Sequence, residues 1–215
     1  MDFILIVPVL LFSIVVHEVA HAWVAYREGD DTAYKLGRIT LNPIPHIDPV
    51  GSILVPAALY YFGGGMLFGW AKPVPVIPRN YRNYRLGDIR VSMAGIVANL
   101  ALALISAVLL VLIYRLGGAA VGGAGILATL AAAVHYGLYI NLILAWFNLI
   151  PLPPLDGSHV LYHLLPPGLG ARYRALGRYG VTVLFGMVVI FPSAIGMLLA
   201  PVEIVRQWIL SIAVG

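Results

Sequence analysis

Four long apolar runs constrain this chain more than any other feature of its sequence: residues 3–26, 91–114, 126–150 and 179–200. Each has the ~20 residues that a helix rising ~1.5 Å per residue needs to cross the ~30 Å hydrocarbon core of a bilayer. In lipid, backbone N–H and C=O groups must find partners within the protein, and a continuous apolar run meets that demand as a helix. Composition agrees: 61% of residues are hydrophobic and 10% charged, against roughly 45–50% and about 25% in a soluble domain. The expected fold is therefore an all-α polytopic membrane protein, a single membrane-embedded domain over residues 1–215. The opening Met1-Asp2 lacks a basic region and its apolar run continues past residue 17, so it does not read as a cleavable signal peptide.

The first run contains His17-Glu18-Val19-Ala20-His21. On a helix, residues four apart share a face, so both imidazoles can bind one zinc ion. Glu18 stands beside them, placed to take a proton from a water at that metal. The chain has no cysteine, which excludes disulfides and thiolate ligands and leaves His and carboxylate as donors. His17 precedes Arg27 by ten residues, or ~15 Å along the axis. Ionisable groups at that depth mark function. The alternative is a pair of hydrogen-bonded core histidines.

Residues 31–49 are polar and broken, with 36–41 readable as a short strand and His46 and Asp48 as turn residues. Residues 50–70 are apolar but interrupted by Pro56 and Gly63-Gly64-Gly65. They are expected to dip into the membrane as a short helix and return through an extended segment, 69–76, as a re-entrant helix/β-hairpin element. In the run 91–114, Ala94, Gly95, Ala98, Ala101 and Ala103 allow another helix to approach closely, and Asn99 needs a partner inside the bundle. His135 in the next run reads as a helix–helix hydrogen-bonding residue. That run ends at Pro151-Leu152-Pro153-Pro154-Leu155-Asp156-Gly157, which fixes the Asp156 carboxylate on a turn. His159 and His163 are also four apart, but no acid lies between them, which argues against a second metal pair. The last span is expected at 179–200, with Pro192 inside it, and the tail 202–214 looks too short to cross.

Charge sets the topology. Eleven of the thirteen Lys and Arg residues fall in three groups: Arg27, Lys35 and Arg38; Lys72, Arg79, Arg82, Arg85 and Arg90; and Arg172, Arg174 and Arg178. All three groups belong on the cytoplasmic side, so the net charge of +4 records membrane orientation, not nucleic-acid binding. Residues 50–70 must then return to the face they left, giving about four transmembrane helices and one re-entrant element. The same topology brings Asp156 to the face where the first helix exits, within reach of a metal on His17 and His21.

Together these residues resemble the site-2 protease family of intramembrane zinc metalloproteases, in the short form without accessory domains. The likeness spans residues 17–157, through His17-Glu18-x-x-His21, Gly95-x-x-x-Asn99, Asn148-x-x-Pro151 and Leu155-Asp156-Gly157. It implies one zinc per chain on His17, His21 and Asp156, with Glu18 as general base and Asn148 orienting substrate or the oxyanion. It further implies substrates that are transmembrane proteins or peptides, cleaved in or near their membrane helices in regulated intramembrane proteolysis. The expected setting is a bacterial or archaeal cell membrane, with the site toward the cytoplasm. Ile96 stands where family members often have proline, and the helix that many carry before the His-Glu motif is absent here.

An unwound substrate also needs backbone partners. Pro73 and Pro75 lack N–H groups, so an extended 72–76 segment presents Lys72, Val74 and Val76 donors on one edge, where substrate could add as a strand. A different class of function, a metal-binding membrane transporter using the same His/Asp site, accounts for the ligands but not for Glu18, and lacks the paired second half of an alternating-access protein. Oligomeric state leaves no trace in the sequence.

Overall fold

The computed structural model describes residues 2–55, 58, 71–123, 125–190 and 192–214. In chain order its helices are α1 (Asp2–Glu28), α2 (Thr32–Lys35), α3 (Tyr84–Gly117), α4 (Ile126–Leu149), α5 (Gly157–Leu164), α6 (Pro167–Ala175), α7 (Gly177–Ile190) and α8 (Pro192–Val214). Four helices, α1, α3, α4 and α8, contain a stretch long and apolar enough to cross a membrane. No strand occurs among the described residues. α1, α3 and α4 pack against one another, and α8 lies against α3 and α4. Small residues bring the backbones together: Ala22 and Ala25 on α1, Gly95 and Ala103 on α3, and Ala131, Gly137 and Ala145 on α4 are all buried.

The end of α1 explains how the chain returns to the bundle. Gly29 takes a left-handed φ of 115°, its N–H bonds Tyr26 C=O at 3.2 Å, and the Asp30 N–H bonds Ala25 C=O at 2.9 Å. This glycine-terminated double bond closes the helix and turns the buried Asp30 carboxylate toward the chain ahead of α3. Asp30 accepts the Ile77 N–H at 2.6 Å and the Asn80 amide at 2.9 Å. Burial raises the Asp30 pKa, but hydrogen bonds from Thr32, Ile77 and Asn80 outweigh it and hold the carboxyl below its usual range. The Arg82 N–H bonds Glu28 C=O at 2.8 Å, and Arg90 pairs with Glu28 at 2.9 Å. The chain therefore leaves α1 and enters α3 at the same end of the bundle.

Most of the expected re-entrant element, residues 56–57 and 59–70, lies outside the described residues. Of its flanks, Pro49–Leu54 is a wide helical turn whose first N–H groups are capped by Asp48, and 71–77 is irregular chain without strand pairing.

Two expectations are corrected. Residues 36–41 are turns and bends, not a strand: Gly37 has φ 64°, the Arg38 N–H folds back onto Ala33 C=O at 2.9 Å, and the Arg38 side chain turns inward. The fourth span-capable helix is not 179–200. One helix ends at Ile190 and the next begins at Pro192, where proline is favoured because a first-turn residue needs no N–H partner. The tail that looked too short becomes the end of this 23-residue helix. Its Glu203 and Arg206 form an ion pair one turn apart, and Arg206 donates to His135 Nε2 at 2.9 Å. Paired in this way, the charges are tolerable at membrane depth.

Candidate metal centre

α1 is helical through residue 21, so His17 and His21 project from one face and their rings meet edge to face, centroids 4.5 Å apart. α3 holds them there. His21 donates its Nδ1–H to Val91 C=O at 2.6 Å, and His17 donates its Nδ1–H to Asn99 Oδ1 at 2.6 Å. The Asn99 amide nitrogen donates to Asn141 Oδ1 at 2.7 Å and Ser13 C=O at 3.3 Å, which turns its oxygen to His17. Both Nδ1 atoms are thereby committed as donors, and both Nε2 lone pairs are left facing inward, as in imidazoles that ligate a metal through one nitrogen while the other is held by an outer acceptor. Gly95 makes the approach possible: a Cβ there would lie 2.4 Å from His17 Cε1 and 2.5 Å from His21 Nε2.

Asp156 arrives from the other side, just ahead of α5. Its neighbour Gly157 presses on the end of α4, where a Cβ would sit 2.2 Å from Leu149 O, so no larger residue permits this turn. The two Nε2 atoms are 2.9 Å apart, and Asp156 Oδ2 is 3.3 Å from each. Oδ2 is buried and makes no hydrogen bond. An unsatisfied carboxylate oxygen facing two bare imidazole nitrogens is costly unless a cation joins them. Tetrahedral zinc with bonds of about 2.0–2.1 Å separates its ligands by roughly 3.3 Å, close to the spacing found. Among the described residues this is the one group of three or more such side chains with ligand atoms close enough for a metal.

Glu18 reaches the segment 71–77, where its Oε2 accepts the Val74 N–H at 2.7 Å. That segment is clamped elsewhere: the Lys72 N–H bonds His46 C=O at 2.9 Å, and Arg38 Nη2 donates to Lys72 C=O at 2.9 Å and Pro73 C=O at 3.3 Å. His46 is fully buried, and its Nε2 donates to Thr40 C=O. The donor edge expected to be open to substrate is instead bonded within the chain at Lys72 and Val74. Asn148, in the last turn of α4, bonds back to Leu144 C=O at 2.9 Å and not to the His-His-Asp cluster. One residue the sequence reading passed over stands out: Asp88, buried near the start of α3 and bonded to both His159 and His163. The signal available was an acid sharing a helical face with Val91, Gly95 and Asn99.

The model of peptidase family M50 matches residues 119–190, a stretch that includes Asn148 and Asp156. The chain is 43% identical over 191 residues to "Putative zinc metalloprotease YwhC" of Bacillus subtilis (strain 168), covering 89% of this chain and 81% of that one. The chain belongs to peptidase family M50. Among further relatives of this M50 chain is "Putative zinc metalloprotease Rip2" of Mycolicibacterium smegmatis, 31% identical over 87% of this chain and 67% of that one. No solved structure matches it. Membership in this family, the site-2 proteases, makes the chain an intramembrane metalloprotease, and the transporter reading has no support among the relatives.

Proposed function

We propose that this M50 protease binds one zinc ion on His17 Nε2, His21 Nε2 and Asp156, and uses it to hydrolyse peptide bonds in or near the transmembrane helices of membrane-protein substrates. The observation that carries the ligand assignment is the convergence of two committed-tautomer imidazoles on a buried, partnerless carboxylate oxygen. With zinc held by these three residues, the centre would supply an acidified water, with a pKa of ~7, and a Lewis acid for the scissile carbonyl. Glu18 accepts the proton of the attacking water and delivers it to the leaving amine. The Val74 N–H fixes one oxygen of that carboxylate and leaves the other for the proton. Asn148 supplies a donor to the developing oxyanion once its amide leaves Leu144.

Substrate must unwind before cleavage, and its freed backbone needs partners in a membrane. The segment carrying Lys72, Val74 and Val76 supplies them, with Lys72 and Val76 offering donors to substrate carbonyls while the Val74 N–H is shared between Glu18 and the docked strand. The basic clusters support a site that faces the cytoplasm, in what we take to be a bacterial or archaeal cell membrane.

The test is cleavage of single-span substrates by the purified protein, with zinc content measured alongside. Glu18→Gln is expected to keep about one zinc and to lose on the order of 10²–10⁴-fold in rate. His17→Ala and Asp156→Ala should lose both metal and cleavage. A Glu18→Gln protein that cleaves normally would falsify the mechanism.

A further inference from the structure

We propose that Asp88 is a positioning residue for the metal centre: it anchors, through His163 and His159, the helix that carries Asp156 into place. This rests on the metal reading above.

Asp88, Val91, Gly95 and Asn99 recur at spacings of three and four along α3, so they share one face. Two members of that face, the Val91 carbonyl and the Asn99 side chain, hold His21 and His17, and Gly95 admits both rings. Asp88, one turn nearer the helix start, reaches α5. The His163 Nε2–H donates to Asp88 Oδ2 at 2.7 Å, with side-chain exposures of only 5% and 4%. His159 Nδ1 lies 3.2 Å from each Asp88 oxygen. Arg174 of α6, stacked on the Tyr162 ring, brings its guanidinium to 3.9 Å from Oδ2. That cation argues against a second metal at this cluster and for an ionic latch.

The latch matters because α5 depends on its docking against α3. A helix of eight residues is far too short to be stable by itself, and the chain before it is a proline-rich turn. Its N-terminal boundary residue is Asp156, whose carbonyl accepts the His159 N–H at 3.0 Å. Displacement of α5 from α3 therefore displaces the third ligand relative to the two that α3 already holds. One helix face thus acts on all three ligand positions, and Asp88 is the part of it that acts on the third, together with the contact of Gly157 on α4. Removing Asp88 also leaves the His163 donor buried without a partner, which drives α5 outward.

The experiment measures zinc affinity of the purified full-length protein by competition with a chromophoric chelator, the visible absorption of the cobalt(II)-substituted protein, and melting temperature. Asp88→Ala and His163→Leu are expected to weaken zinc binding on the order of 10–100-fold and to change the cobalt spectrum. His163→Gln, whose amide can still donate to Asp88, should restore most of the affinity. Gly117→Ala, which crowds Leu127 and Val121 far from the metal centre, supplies a destabilised control. If Asp88→Ala fails to fold, the two His163 variants decide. Wild-type affinity and spectrum in His163→Leu, or a loss no greater than a Gly117→Ala protein of equal melting temperature shows, overturns the inference. Absence of zinc binding in the wild type, or unchanged binding in Asp156→Ala, would instead overturn the metal reading itself.

Discussion

Gly95→Ala adds a single methyl group where the two imidazoles meet α3. The added Cβ would stand 2.4 Å from His17 Cε1, 2.5 Å from His21 Nε2 and 2.6 Å from His17 Nδ1, where ordinary contact begins near 3.4 Å, so about 1 Å of movement is required. The rings cannot yield alone, since each is tied at 2.6 Å to an acceptor on α3, the helix that carries the new methyl. Either those two bonds stretch or α3 shifts away from α1. Overpacking of this kind costs about 1–3 kcal/mol in stability. The effect on the centre is larger: disturbing the outer partners of metal ligands costs on the order of 10–100-fold in affinity, and a 1 Å misplacement costs about 10²-fold in turnover. Chelator competition, substrate cleavage and a thermal melt read the three effects separately. Gly122→Ala, with nothing within 4 Å of its Cβ, should leave all three unchanged. A Gly95→Ala protein with wild-type zinc affinity and rate would show that the rings do not pack on α3 as described.

Topology is testable with single introduced cysteines, since the chain has none: replacements at Asp31, Arg82 and Arg172 should be labelled from the cytoplasmic side, and one at Gly118 from the other. Labelling of the Arg82 position from outside would refute the assignment of 50–70 as re-entrant. Val74→Pro removes the N–H that now holds Glu18 and should abolish cleavage with zinc retained, whereas Pro73→Ala, which removes no donor, should be mild. Normal cleavage by a folded, zinc-loaded Val74→Pro protein would mean that this segment serves neither the base nor the substrate.

The parts of the centre that could be read from the sequence are those encoded locally or by charge. His17 and His21 share a face because four residues nearly complete a helical turn, and Asp156 could be assigned to their side from the distribution of arginine and lysine alone. What escaped the reading depends on partners distant in the chain or on pairing. His159 and His163 looked like a pair without an acid because their acid, Asp88, lies 75 residues before His163 on another helix. The Val74 N–H looked free because its acceptor, Glu18, is 56 residues away. The last span is hard to place from sequence because a proline inside an apolar run reads as an interruption, whereas Pro192 begins a helix that continues to Val214.

The same contrast bears on how the centre assembles. α1 alone presents His17 and His21, but nothing within α1 fixes which imidazole nitrogen faces inward. That choice comes from α3, through Val91 and Asn99. Asp156 joins only when α5 docks, and α5 docks on Asp88 of the same helix. On the proposed metal reading, affinity for zinc would therefore be a readout of how α3 is packed. A substitution on its 88–99 face that touches no ligand should weaken zinc binding, and a change of equal cost on its lipid side, at an exposed residue such as Leu104, should not.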